Sequence, residues 1–350
     1  MIVIACIQLI YLFYLGRIAF FAFRKNQVSN NTELPNKVSF VIPFKNEAER
    51  IEPLLNSLKP LSSLSYIELL FVDDHSTDQT AALIATNLPS AKVLFNQGSG
   101  KKAAITTAIY SAQFDRIITL DADAELPANY KALVTHIPNQ DLVVGPVYIQ
   151  KTSGLLNALD RLEQMSIQTL SSGSLQQNQP LSASGAHLIY SKDDFKQLDG
   201  FDGNNHLASG DDVFILEKFY QSRKSISYWN NVEATVNVQG VKTFNQLLQQ
   251  KKRWGNKVKH LQLNQPKVLG ILIVLSNFSL ILSPFIFQET YELILIFGVK
   301  WLTDLYVFLK GQTFFQDKNL TYWLPLLLFI FPFYNLFTVL VSQFGTTENW

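Results

Sequence analysis

The chain has a single cysteine, Cys6, and it lies inside the first apolar run, so neither a disulfide framework nor a cysteine-ligated metal site is available. Between Lys242 and Lys267 there is no acidic residue, while Lys242, Lys251, Lys252, Arg253, Lys257, Lys259 and Lys267 are all basic. In a chain whose net charge is only +1, a one-signed stretch of this kind suits an anionic lipid surface better than nucleic acid. No basic residue precedes the apolar run at residues 2–23, and no small-x-small cleavage site follows it. Both absences favour an uncleaved anchor over a secretory signal peptide.

What is present is apolar: 47% of the 350 residues are hydrophobic and the mean hydropathy is positive, which places part of the chain in a bilayer. Residues 2–23 are long enough to cross one, with Arg17 as the only charge before the basic pair Arg24 and Lys25. Three further candidate spans lie at 268–287, 291–309 and 320–343. The second holds Lys300 and Asp304 one helical turn apart, read as partners on an inward, packed face rather than as a transport path. The positive-inside rule then gives a multi-pass protein of the cell or inner membrane, with residues 24–266 cytoplasmic and both termini outside. On that topology Asn30-Asn31-Thr32 and Asn319-Leu320-Thr321 are cytoplasmic, so their match to a glycosylation acceptor pattern carries no weight.

The expected organisation is an anchor at 1–23, a linker at 24–37, a catalytic domain at 38–240, an amphipathic interfacial segment at 241–266 and three membrane helices within 267–350. Inside the catalytic domain, apolar runs at 38–42 and 67–72 flank a helical pattern at 47–58, a βαβ unit. The alternation continues with a strand at 92–95, a helix at 101–113 and a strand at 116–120. Continuous apolar strands alternating with helices predict an α/β fold, a mostly parallel sheet with helices on both faces. Ligands of such sheets bind beyond the carboxyl ends of the strands, where Pro43, Asp73, Asp74, Asp121 and Asp123 fall. From residue 141 the pattern becomes irregular: a strand at 142–147, a long helix around 155–170, a polar stretch at 171–179, then residues 183–190.

Asp121-Ala122-Asp123 follows a strand, and residues two apart at an extended end point the same way, so both carboxylates can hold Mg²⁺ or Mn²⁺ against a diphosphate. The competing account is an acidic turn before the next helix. Asp73 and Asp74 stand at another strand end, where a carboxylate accepts hydrogen bonds from a nucleobase or ribose and where one of the two serves as a cap. Gly98-Ser99-Gly100-Lys101 invites a phosphate-loop reading but lacks the required Gly at Phe95 and Ser or Thr at Lys102. A contact of Lys101 with a diphosphate remains, against a solvated helix start. Gly210-Asp211-Asp212 precedes a helical run and offers either a general base or an acidic cap. Gln250, Arg253 and Trp254 occupy i, i+3 and i+4, one helix face, suited to phosphate and a sugar ring or to anchoring at headgroups.

Taken in order, these elements resemble family 2 glycosyltransferases of the GT-A fold over about residues 38–254. The resemblance rests on Val41-Ile42-Pro43-Phe44-Lys45-Asn46-Glu47, Val72-Asp73-Asp74-His75-Ser76-Thr77-Asp78, Gly100-Lys101-Lys102-Ala103-Ala104, Leu120-Asp121-Ala122-Asp123, Ser184-Gly185-Ala186, Gly200-Phe201-Asp202, Gly210-Asp211-Asp212 and Gln250 to Trp254. It implies that Pro43, Glu47, Asp73, Asp74 and Lys101 bind the nucleotide-sugar donor, a UDP-sugar. It also implies that Asp121 and Asp123 hold metal and diphosphate, and that Asp212, or its neighbour Asp211, is the base. The Gln-x-x-Arg-Trp element, similar to that of cellulose, hyaluronan and chitin synthases and ceramide glucosyltransferases, would serve the acceptor and the leaving diphosphate. Three departures stand out: His75 where the family has Gly, Thr106 for a frequent Asn, and Asp211 for a usual Glu. One span before the domain and three after are few for a polymer channel, so the expectation is inverting transfer of single sugars to a membrane lipid. A processive polysaccharide synthase, an inactive membrane scaffold and a nucleotidyltransferase are the alternatives.

Overall fold

The computed structural model describes residues 1–24, 37–205, 207 and 209–343. Most of the expected linker, and the Asn30-Asn31-Thr32 triplet with it, lies outside them. The chain divides into two compact units, one built from Met1–Arg24, Lys151–Ser182 and Gly240–Thr347, the other chiefly from Lys25–Gln150 and Ala183–Gln239.

The second unit is the sheet domain. Strands β1 (Val38–Phe44), β2 (Ile67–Asp73), β3 (Lys92–Phe95) and β4 (Arg116–Thr119) run parallel in the spatial order β3-β2-β1-β4. Every residue of β1 and β2 is buried, as continuous apolar runs covered on both faces require. Pro43 falls inside β1, two residues beyond Val41, whose carbonyl accepts from the Leu120 amide at 3.1 Å. Its missing N–H therefore points to the side where β4 has already ended, and no ladder bond is lost. Glu68 is the one acid in β2 ahead of its terminal Asp73. Burial works against its charge, but hydrogen bonds from Lys92, Ser39 and the Gln113 amide outweigh burial and hold its carboxyl below the usual range.

The strand expected at 142–147 is two strands in two sheets. After β5 (Ala124–Glu125), β6 (Leu142–Val144) joins the main sheet, whereas β7 (Val147–Ile149) joins a small second one. Pro146 lies between them, and a residue without an N–H cannot continue a central ladder. β8 (Leu188–Ser191) inserts antiparallel between β4 and β6, β9 (Ile226–Tyr228) closes the main sheet, and β10 (Val236–Val238) pairs with β5 and β7. The helix expected from residue 47 starts only at Glu52, with Pro53 in its first turn.

Behind β4 and β8, His187 is fully buried among Tyr130 and Trp229, and its Nε2 lies 2.7 Å from the Tyr130 hydroxyl. Burial pushes its imidazole down to about 4, so the folded protein keeps it neutral while the unfolded chain takes up a proton below about 6.5. Its contribution to stability is complete above pH 6.5 and is lost as the pH falls toward 4, by about 3 kcal/mol in total. Unfolding midpoints of the wild type and His187→Gln, followed from pH 7 to 4.5, are expected to differ in slope, the variant losing less on acidification; parallel slopes would rule the histidine out as the source.

In the helical unit, Ile2–Phe21, Asn264–Ile286 and Lys318–Val341 are long and apolar enough to cross a membrane. The span expected at 291–309 is the helix Thr290–Phe315, which carries Glu292, Lys300, Asp304 and Lys310 and is not among the three. Lys300 is buried and pairs with Asp304, and Asp304 also accepts from the Tyr11 hydroxyl at 2.6 Å. Nearby, the Gln8 amide donates to Ser276 O at 2.9 Å and Ser279 Oγ at 3.0 Å. These polar groups satisfy one another between packed helices, the arrangement that apolar surroundings impose.

Candidate active site

The carboxyl ends of β1 and β2 each run into a turn, and these turns set the first acidic residues. The Asp74 amide donates to Phe44 O at 2.9 Å, and Asp73 Oδ1 accepts from the Ser76 amide at 2.8 Å, so Asp73 ties the turn. Asp74 is fully buried; its Oδ1 accepts from Asn96 Nδ2 at 2.5 Å and from the Gly100 amide at 2.9 Å. Its Oδ2 has no hydrogen-bond partner among the described residues, and Lys45 Nζ stands 3.6 Å away. Of the two aspartates, Asp74 thus keeps an acceptor oxygen in reserve. His75 adopts φ +61°, a left-handed conformation that favours glycine, the residue the resemblance leads one to expect there. Histidine tolerates it at a cost of roughly 1–2 kcal/mol, and the ring finds Gly98 O at 3.0 Å.

Lys101 opens the helix Lys101–Ser111 directly after Gly100. Its ammonium contacts Asp121 Oδ1 at 2.6 Å and Asp211 Oδ2 at 2.9 Å. Burial disfavours that charge, but the two carboxylates together push the lysine well above its usual value. Instead of standing at a solvated helix start, Lys101 is the counter-ion that draws the end of β4 and the helix Asp211–Gln221 together. Gly185 makes room for this: a Cβ there would lie 2.5 Å from Asp211 Oδ2 and 3.2 Å from Lys101 Nζ. The sequence marked Ser184-Gly185-Ala186 without giving it a task.

Asp121 and Asp123 lie on a turn rather than on an extended strand end. β4 stops at Thr119, and the Ala124 amide closes back onto Asp121 O at 3.1 Å. The turn still places the two carboxylates within mutual electrostatic reach: burial first, then the Asp121 charge, raise Asp123 to about 6, with Arg50 and Lys101 opposing. Glu47 joins them. Burial raises it to about 7 against the pull of Arg50, and the charges of Asp123 and Asp121 add to the rise. Its Oε1 pairs with Arg50 at 2.7 Å while its Oε2 is buried without a hydrogen-bond partner among the described residues. Glu47, Asp121 and Asp123 therefore carry more negative charge than Arg50 and Lys101 neutralise. An all-oxygen set with uncompensated charge fits a hard divalent cation. Among the described residues no group of three or more His, Cys, Asp or Glu side chains is arranged to hold a metal ion by itself, so a cation at Asp121 and Asp123 would need ligands from outside the protein. Arg50 was not singled out from the sequence, and nothing local marks it.

Asp211 and Asp212 begin their helix after Gly210, which has φ +93° and no space for a Cβ, since one would meet the Phe214 ring at 2.5 Å. Both are buried, and carboxylates are favoured at a helix N-terminus. Asp212 Oδ1 accepts from the Val213 amide at 2.8 Å. The sheet unit thus contains Pro43, Glu47, Asp73, Asp74, Lys101, Asp121, Asp123, Asp211 and Asp212. Gln250, Arg253 and Trp254 belong to the helical unit, on the helix Phe244–His260, whose start is secured by a Thr243–Gln246 capping box. One member of the basic stretch departs from the expected lipid-facing role: Lys251 is buried and paired with Glu163 at 2.7 Å.

Residues 39–198 match the family described as glycosyl transferase family 2. Undecaprenyl-phosphate 4-deoxy-4-formamido-L-arabinose transferases of Yersinia pestis and Yersinia pseudotuberculosis are 32% identical over 141 residues, which is 38% of this chain and 43% of theirs. The chain thus matches less than half the length of these curated relatives. Among solved structures, the mannosyltransferase PcManGT of Pyrobaculum calidifontis, in complex with GDP-Man and Mn²⁺, superposes with a TM-score of 0.57 at 15% identity over 90% of this chain and 96% of that one, a likeness of fold. The strand order, the acidic strand ends and the matched segment converge on one family: the chain carries a family 2 glycosyltransferase domain of the GT-A fold.

Proposed function

We propose that the protein moves a sugar from a nucleotide-sugar, a UDP-sugar, to a lipid-linked acceptor at the membrane, one sugar per acceptor and with inversion at the anomeric carbon. The observation that carries this reading is the contact of Lys101 with both Asp121 and Asp211, which joins three separate sequence motifs in one acidic site. The lipid acceptor draws support from the undecaprenyl-phosphate sugar transferases that share the domain and from the three apolar helices. We assign residues 24–266 to the cytoplasmic side and both termini to the outside.

In this mechanism the Asp74 oxygen that has no hydrogen-bond partner among the described residues accepts from the nucleobase or ribose, with Pro43, Glu47 and Asp73 also binding the donor. Asp121 and Asp123 would hold Mg²⁺ or Mn²⁺, which supplies positive charge to the diphosphate. Lys101 already faces Asp121, so its ammonium is placed to pass to the leaving diphosphate as negative charge develops there. Asp212 takes the proton of the acceptor hydroxyl or phosphate as that oxygen bonds to the anomeric carbon. The bond from that carbon to the diphosphate breaks, and its electron pair leaves with the nucleotide. The ion pair of Asp211 with Lys101 supports assigning the base to Asp212. Gln250, Arg253 and Trp254 serve the acceptor and the departing diphosphate.

The test is a set of UDP- and GDP-sugars offered to the purified protein in lipid with a membrane lipid extract, with and without chelator. A single glycolipid that forms only with a divalent cation is the expected product. A ladder of long chains would overturn single transfer in favour of a polysaccharide synthase. Absence of transfer and of donor hydrolysis with every sugar would leave the inactive scaffold.

A further inference from the structure

Lys251 stands second in the Gln250 to Trp254 element, and its side chain is only 4% exposed. Its ammonium reaches Glu163 Oε2 at 2.7 Å, Gln250 Oε1 at 3.1 Å and the Trp254 ring, whose centroid is 3.8 Å away. Glu163 Oε2 also accepts from the Tyr334 hydroxyl at 2.8 Å, and Tyr334 belongs to the apolar helix Leu324–Gln343. One turn before Glu163, Asp160 Oδ2 accepts from the Val241 amide at 3.2 Å, just ahead of the motif helix. The long helix Leu155–Leu175 therefore holds both the approach to the motif helix and its buried lysine.

Burying a lysine is costly, and a buried ion pair is weak evidence of net stabilisation, but it admits few geometries. An ammonium only donates, so Gln250 must turn its carbonyl oxygen toward Lys251 and keep its NH₂ for another partner. The same ammonium sits over the Trp254 indole, so a sugar ring stacked on that indole would have to use its opposite face. Two of the three motif side chains are thus oriented by a residue that the motif itself leaves unspecified.

We propose that Lys251 is the positioning residue of this element: it fixes the Gln250 amide and the Trp254 indole for the acceptor and, through Glu163 and Tyr334, ties them to the apolar helix Leu324–Gln343. This rests on the acceptor role proposed above for Gln250 and Trp254.

The experiment uses the full chain in nanodiscs, with undecaprenyl phosphate as the acceptor probe and UDP as the nucleotide probe. Lys251→Met is expected to raise the acceptor KM or lower transfer by about 10- to 100-fold, the scale on which small misplacements act, with the UDP Kd unchanged. Lys251→Arg restores most of the loss. Tyr334→Phe, which removes one oxygen and keeps the packing, gives a smaller defect of the same kind, and Lys251→Met combined with Glu163→Gln is no worse than either alone. Equal loss of UDP binding and transfer in Lys251→Met and Tyr334→Phe would reduce the lysine to a structural role, and a wild-type acceptor KM together with wild-type transfer in both would overturn the proposal. A second readout separates this inference from the functional reading. The tryptophan emission that depends on Trp254, taken as wild type minus Trp254→Phe, is expected to shift in Lys251→Met even if the wild type transfers no sugar to the probe, and an unchanged difference spectrum would count against Lys251 alone.

Discussion

Asp212→Asn is expected to lower sugar transfer by roughly 10²- to 10⁴-fold, the range supplied by a positioned general base, with little change in nucleotide affinity. The amide keeps the size and the acceptor oxygen of the carboxylate, so the hydrogen bond from the Val213 amide survives and only the capacity to take a proton is removed. Asp211→Asn makes the informative contrast. Asp211 shares the Lys101 ammonium with Asp121, so its loss frees the lysine on one side and is expected to appear first in the donor KM. Single-turnover transfer with saturating donor separates the two variants. If Asp211→Asn loses the chemical step and Asp212→Asn keeps it, the base is Asp211 and the assignment above is reversed.

The second large effect is expected on removal of divalent cation. Burial and the charges of Asp123 and Asp121 raise Glu47, burial and the Asp121 charge raise Asp123, and one oxygen of Glu47 has no hydrogen-bond partner among the described residues. A nucleotide diphosphate brought to such a site meets repulsion that Arg50 and Lys101 only partly offset. A cation worth several kcal/mol to the transition state corresponds to a loss on the order of 10³-fold on chelation, restored by Mg²⁺ or Mn²⁺. Asp123→Asn is expected to weaken the cation's effect on UDP affinity, measured by titration calorimetry with and without Mn²⁺. Full activity in excess chelator, or a cation effect undiminished in Asp123→Asn, would remove the metal from Asp123.

The parallel strands and the positions of the acidic residues at their ends were legible because both are local. Apolar runs at 38–42 and 67–72 followed by turn residues leave a buried strand as the economical reading, and β1 and β2 are buried throughout. Boundaries were less legible. The strand expected at 142–147 breaks at Pro146 into two sheets, because pairing depends on which neighbours are present as well as on the run itself. His75 is the reverse case: the sequence flagged a departure, and the backbone takes the left-handed turn all the same.

By itself the sequence determined the chemistry on offer: carboxylates at strand ends, a lysine at a helix start, apolar helices of membrane length, and a Gln-x-x-Arg-Trp face. Only the tertiary structure decided which charges meet. It made Lys101 the counter-ion of Asp121 and Asp211, set Glu47 and Arg50 beside Asp123, and turned Lys251 inward onto Glu163. Hydrophobic periodicity is written along the chain and survives without a fold, whereas Coulomb interactions depend on distance and burial, and those exist only once distant segments have packed.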